Sequence, residues 1–107
     1  MKIVRTKLFS KSLKKLGAGE ADIAKLEVLL AANPLAGDVI PGLGGLRKIR
    51  FAMKGKGKRG GGRAIYFVLM VRDTTYLVLA YDKSVQSDLS PVQREFALKL
   101  VKELSDG

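Results

Sequence analysis

The stretch Arg63–Lys83, RAIYFVLMVRDTTYLVLAYDK, decides the fold. It holds two apolar runs, Arg63–Arg72 and Tyr76–Lys83, separated by the polar triplet Asp73-Thr74-Thr75. Their β-branched and aromatic content and the short polar gap predict a β-hairpin. Neither run alternates cleanly between apolar and polar residues. Both strands are therefore expected mid-sheet, with one face under helices. The longest uninterrupted apolar run, Ala64–Val71, is eight residues. A membrane-spanning helix needs about 20, and Met1–Arg5 lacks the long apolar run of a secretory leader. These features predict a soluble, cytoplasmic protein with no membrane partner.

Upstream of the hairpin, Leu46–Ala52 reads as a strand and residues 53–62 as a loop. Residues 2–5 form a further candidate strand. Phe9, Leu13 and Leu16 fall at helical spacing over residues 7–16, with Gly17 as a C-terminal cap. Ile23, Leu26 and Leu30 repeat the pattern over residues 20–32. Glu20 and Asp22 stand near that helix's start, where the dipole favours acids, and Asn33-Pro34 ends it. Downstream, Ser90-Pro91-Val92-Gln93 has a capping hydroxyl, a proline in the first turn and a glutamine three residues after the cap. Phe96, Ala97, Leu100, Val101 and Leu104 then make one apolar stripe. No repeat or linker divides the chain. The predicted order is β-α-α-β-β-β-α over residues 1–107. This is a single α+β domain whose N-terminal strand and helical hairpin pack on a mainly antiparallel sheet, with a C-terminal helix.

The formal charge of +10 on 107 residues points to a polyanion partner. The excess is localised. From Val39 to Arg72 there is no acid, and nine bases fall there: Arg47, Lys48, Arg50, Lys54, Lys56, Lys58, Arg59, Arg63 and Arg72. Ordinary soluble surfaces intersperse both signs, so the missing acids weigh against a merely solvated loop and favour a phosphate-bearing partner. Glycines in GKGKRGGGR, residues 55–63, let backbone N–H groups approach phosphate. The stretch is not a P-loop, because no Ser or Thr follows Lys56 or Lys58. Strand alternation puts Lys48 and Arg50 on one face and Arg47 with Ile49 and Phe51 on the other. Cysteine and histidine are both absent, which excludes disulfides, Cys/His zinc sites, a histidine base and a cysteine nucleophile.

GDVIPGLGGLRKIRFA, GKGKRGGGRAIYF and AYDKSVQSDLS resemble the HigB-type branch of the RelE/ParE toxin superfamily, from about residue 2 to residue 104. These are toxins of bacterial type II toxin–antitoxin modules. The resemblance implies a RelE-like fold and a ribosome-dependent mRNA endonuclease that needs neither metal nor cofactor. In that chemistry the 2′-hydroxyl attacks the adjacent phosphate, and basic side chains neutralise the transition state. The implied partners are the ribosome, mRNA and a cognate antitoxin of helix-turn-helix type. Carried over by motif, RKIRF makes Lys48 and Arg50 catalytic candidates, and GRAIY makes Arg63 the arginine on the scissile phosphate. Lys83 falls near a further basic functional position. Arg47, Lys54, Lys56, Lys58 and Arg59 are the implied RNA-binding residues. Several RelE-like enzymes use a tyrosine or histidine in the C-terminal segment. This chain has no histidine, and Tyr66 and Tyr81 read as core or sheet residues. The general base is therefore unassigned, with Lys48 a candidate. The competing functions are a gyrase poison of the same fold and a non-enzymatic RNA-binding protein.

Overall fold

A computed structural model describes residues 1–53 and 61–106. The elements are β1 (Lys2–Arg5), α1 (Lys7–Leu16), α2 (Glu20–Ala32), β2 (Asp38–Val39), β3 (Arg47–Phe51), β4 (Gly62–Leu69), β5 (Thr74–Asp82) and α3 (Pro91–Asp106). The strands make one sheet in the order β1-β5-β4-β3-β2. Three of its four pairings are antiparallel, and β1 runs parallel to β5. The expected α+β class and mainly antiparallel sheet are observed.

Local chemistry sets the helix ends. Thr6 caps α1, its hydroxyl accepting the Phe9 N–H at 3.1 Å, and Gly17 closes the helix in the left-handed conformation. At α3 the predicted capping box is present in both directions. The Gln93 N–H donates to Ser90 Oγ at 3.1 Å, and the Ser90 N–H donates to Gln93 Oε1 at 2.9 Å. Arg5 clips β1 to α2 by donating to Glu20 and Glu27 at 2.6–3.1 Å.

The strands β4 and β5 lie inside the sheet, as their sequence predicts, but both faces are covered rather than one. On one face Phe9, Ile23, Leu26 and Leu30 of the helical hairpin pack on Phe51, Ala64, Tyr66, Leu77 and Ala80. On the other, Ala97 and Val101 of α3, with Ile40, Leu43 and Leu46, pack on Ile65, Phe67, Val78, Leu79 and Tyr81. Two covered faces explain the unbroken apolar runs, since Gly62–Phe67 of β4 and every residue of β5 except Tyr76 are buried. The hairpin connection also differs from expectation. Met70–Arg72 form a 3-10 turn, while Thr74 and Thr75 belong to β5. Val71 is exposed there, so its apolar character does not extend the strand. The two-residue strand β2 is an addition to the predicted order. It is too short to leave a periodic signal, and it exists because Asp38 and Val39 pair with Lys48 and Arg47.

One irregularity governs the site. In the β4–β5 ladder Ile65 pairs with Leu79 while Tyr66 pairs with Leu77, so Val78 has no partner across the ladder. This β-bulge inverts the alternation of β5. Leu77 faces the helical hairpin, Val78 and Leu79 both face α3, and Tyr81 follows to the α3 side. The bulge's carbonyls are satisfied from α1's cap: the Thr6 hydroxyl lies 2.8 Å from the Leu77 oxygen and 3.0 Å from that of Val78. Ser12 Oγ accepts the Ala80 N–H at 2.9 Å, which repairs the ladder just beyond it.

Candidate functional site

The β3–β4–β5 register assembles a row of polar side chains across three strands. Arg50 pairs with Arg63, and Arg63 pairs with Tyr81. The adjacent row on the same face is Lys48, Ile65 and Leu79. Directly opposed residues have Cβ atoms about 5 Å apart, and like charges so placed destabilise a sheet. Two guanidinium groups in that relation, with an ammonium two residues along β3, form a focus that a phosphate would relieve.

Arg63 is buried, at 8% exposure, whereas Arg50 is exposed. Its Nη1 donates to the carbonyls of Gly61 at 3.1 Å and Gly62 at 3.3 Å. Gly62 lies against the Phe51 ring on the opposite face, and a Cβ there would overlap that ring. The glycine before Arg63 is thus a packing requirement that sets where the arginine's strand begins.

The β5–α3 connection adds an acid. Asp88 accepts the Leu89 N–H at 2.8 Å and pairs with Arg94 at 3.2 Å. Its carboxyl is held below the usual range first by the Leu89 N–H and then by the charges of Lys48 and Arg94. Asp88 therefore stands within electrostatic reach of Lys48. Tyr81 is 4% exposed, and its phenol is pushed up by burial, further up by Asp88, and partly back down by Arg63. Among the described residues the Tyr81 hydroxyl is the one buried side-chain polar atom without a hydrogen-bond partner. A cavity of about 270 Å³ lies between α1 and the end of β5, walled by Ser12, Lys15, Leu16, Ala80, Asp82 and Gln93 among others, and none of Lys48, Arg50 and Arg63 lines it.

Of the predicted site residues, Lys48, Arg50 and Arg63 come together. Lys83 follows β5 at the same end of the sheet; its side chain is exposed and its N–H donates to the Gly61 oxygen at 3.4 Å. Arg47 is on the opposite face, opposite Tyr66, and its guanidinium donates to the Gly37 carbonyl at 2.8 Å and the Leu35 carbonyl at 3.4 Å. Lys54, Lys56, Lys58 and Arg59 lie outside the described residues. Sequence reading missed Asp88, which comes within electrostatic reach of Lys48 only through the fold, and its partner Arg94; the expected placing of Tyr66 and Tyr81 in the core of the sheet is observed. The bulge that turns Tyr81 toward Arg63 carries no residue signature. Among the described residues no three His, Cys, Asp or Glu side chains gather as a metal site, and no helix is long and apolar enough to cross a membrane.

Residues 1–106 match the protein family described as "RelE toxin of RelE / RelB toxin-antitoxin system". Among solved structures, the chain is similar to a mutant E. coli toxin RelE in the free state. The TM-score is 0.58 at 16% identity, covering 80% of this chain and 86% of that one. It is also similar to a chain of the intact E. coli RelBE toxin–antitoxin complex. There the TM-score is 0.55 at 17% identity, covering 76% of this chain and 94% of that one. At these identities the likeness is one of fold.

Proposed function

The chain belongs to the RelE toxin family, and on that premise we propose that residues 1–107 are one toxin domain of the HigB-type branch, which cleaves mRNA on the ribosome in the cytoplasm. Its partner is a cognate antitoxin of helix-turn-helix type that blocks this activity. The observation that carries the reading is the direct opposition of Arg50 and Arg63, with Lys48 on the same face.

Cleavage by an internal 2′-hydroxyl concentrates negative charge on one phosphate. Donors already aimed at that charge lower the barrier without reorganising. Arg63 suits the equatorial oxygens because its planar fork makes two charge-assisted hydrogen bonds and keeps its charge at all working pH values. Arg50 and Lys48 flank the same phosphate from β3. Lys48 adds positive charge to the same phosphate, and the 2′-hydroxyl proton passes to water. Lys83, Lys54, Lys56, Lys58 and Arg59 supply further positive charge for binding the RNA. Arg47, bonded to loop carbonyls on the other face, contributes by holding β3 in place.

The test is single-turnover cleavage of mRNA on programmed ribosomes. Arg63→Ala should slow cleavage by about 10²- to 10³-fold, or roughly 3–4 kcal/mol, as removal of one transition-state donor does elsewhere. Ribosome affinity should change far less. Arg63→Lys should recover only part of the rate. Full cleavage by a folded Arg63→Ala protein would sink the assignment.

A further inference from the structure

The row Arg50–Arg63–Tyr81 ends in a hydroxyl that the charge argument does not use. A buried phenol without a partner is costly, and the fold is built to keep it there. The Val78 bulge turns Tyr81 from the helical-hairpin face to the face of Arg63, and Thr6 satisfies the two carbonyls that the bulge exposes. Without the bulge, simple alternation would put Tyr81 on the opposite face from Arg63. The hydroxyl lacks an acceptor, and a phosphate ester drawn to Arg63 would bring acceptor oxygens to its neighbour on the next strand.

We propose that Tyr81 is a further catalytic residue, whose hydroxyl protonates the departing 5′-oxygen of the cleaved RNA. This rests on the endonuclease reading above. As the 2′-oxygen bonds to phosphorus, its proton goes to water. The P–O5′ bond breaks and O5′ takes the phenolic proton, leaving a 2′,3′-cyclic phosphate and a 5′-hydroxyl. The phenolate, beside the Arg63 guanidinium, is reprotonated from water. Burial suits the role, because it keeps the phenol protonated until the leaving group demands the proton.

Tyr81→Phe keeps the buried ring and deletes only the unpartnered hydroxyl, so the variant should fold with a melting temperature no lower than the parent's. Two mRNAs are compared on ribosomes, one with the natural 5′-oxygen at the scissile bond and one with sulfur there. Sulfur leaves without a proton. Tyr81→Phe should cut the oxygen substrate about 10²-fold more slowly than the parent, should cut the sulfur substrate at the parent's rate, and should bind ribosomes equally well. Equal loss on both substrates, or no loss on either, overturns the proposal. If the parent itself cuts neither mRNA, the endonuclease reading fails and this one falls with it.

Discussion

Gly37→Ala probes the joint that holds β3, and with it Lys48 and Arg50, in place. Gly37 is buried and engaged from both sides. Its N–H donates to the Tyr66 hydroxyl at 2.8 Å, and its carbonyl accepts from Arg47 at 2.8 Å. A Cβ added there would stand 2.8 Å from the Lys48 carbonyl oxygen and 2.8 Å from both Cε1 and the hydroxyl of Tyr66. Real Cβ contacts are longer, and neither neighbour is a flexible chain end: one is β3 backbone and the other a fully buried ring. Overpacking of this kind costs about 1–3 kcal/mol. Pushing Gly37 off Tyr66 leaves a buried N–H unsatisfied, for about 1–3 kcal/mol more. The combined loss is about 3 kcal/mol, which lowers the melting temperature by roughly 12–24 °C. Urea unfolding followed by far-UV circular dichroism measures it. Tyr66→Phe alone should cost about 1–3 kcal/mol. The double variant should cost less than the sum, because both changes break the same hydrogen bond. A Gly37→Ala protein within about 0.5 kcal/mol of the parent, the range of ordinary surface changes, would refute the reasoning.

Two further outcomes follow from the helix ends. The Glu20 carboxyl is held below its usual value by its hydrogen bonds to Arg5, so its contribution is present above about pH 4.5 and is lost as pH falls through the lower folded value. Arg5→Met should therefore flatten the decline of melting temperature between about pH 5 and pH 3, read at low ionic strength; an unaltered acid limb would refute that pairing. Ser90→Ala should destabilise the protein by about 1 kcal/mol in urea unfolding, and Ser90→Asp should restore most of the loss; equal stability of all three proteins would count against the cap.

The helices were legible because their signals are local. Thr6, Gly17 and the Ser90–Gln93 pair act within one turn of where they stand, and the stripes over residues 20–32 and 91–104 repeat at a single period. Placing Lys48 and Arg50 on one face likewise needed only the pleat of one strand. What the sequence hid are relations between distant segments. Nothing local tells Val78 that it will be passed over by β4, yet that one residue decides which face Tyr81 joins. Asp88 and Lys48 are 40 residues apart, and only the packing of the β5–α3 connection brings them together. The strand β2 owes its existence to its partner. Its own two residues, both exposed, carry no pattern.

The parallel pairing of β1 with β5 sets an order on biosynthesis. Lys2 pairs with Thr74, so 72 further residues must be made before the first strand meets its partner. At about 5–20 residues per second, that is a wait of roughly 4–14 s. Through that interval Thr6 has no bulge to fill, and β5 is not yet there to carry Tyr81 toward Arg63. The strand β1 is thus made long before the partner that gives it its place. The sheet of this protein is closed only after most of its chain has been made.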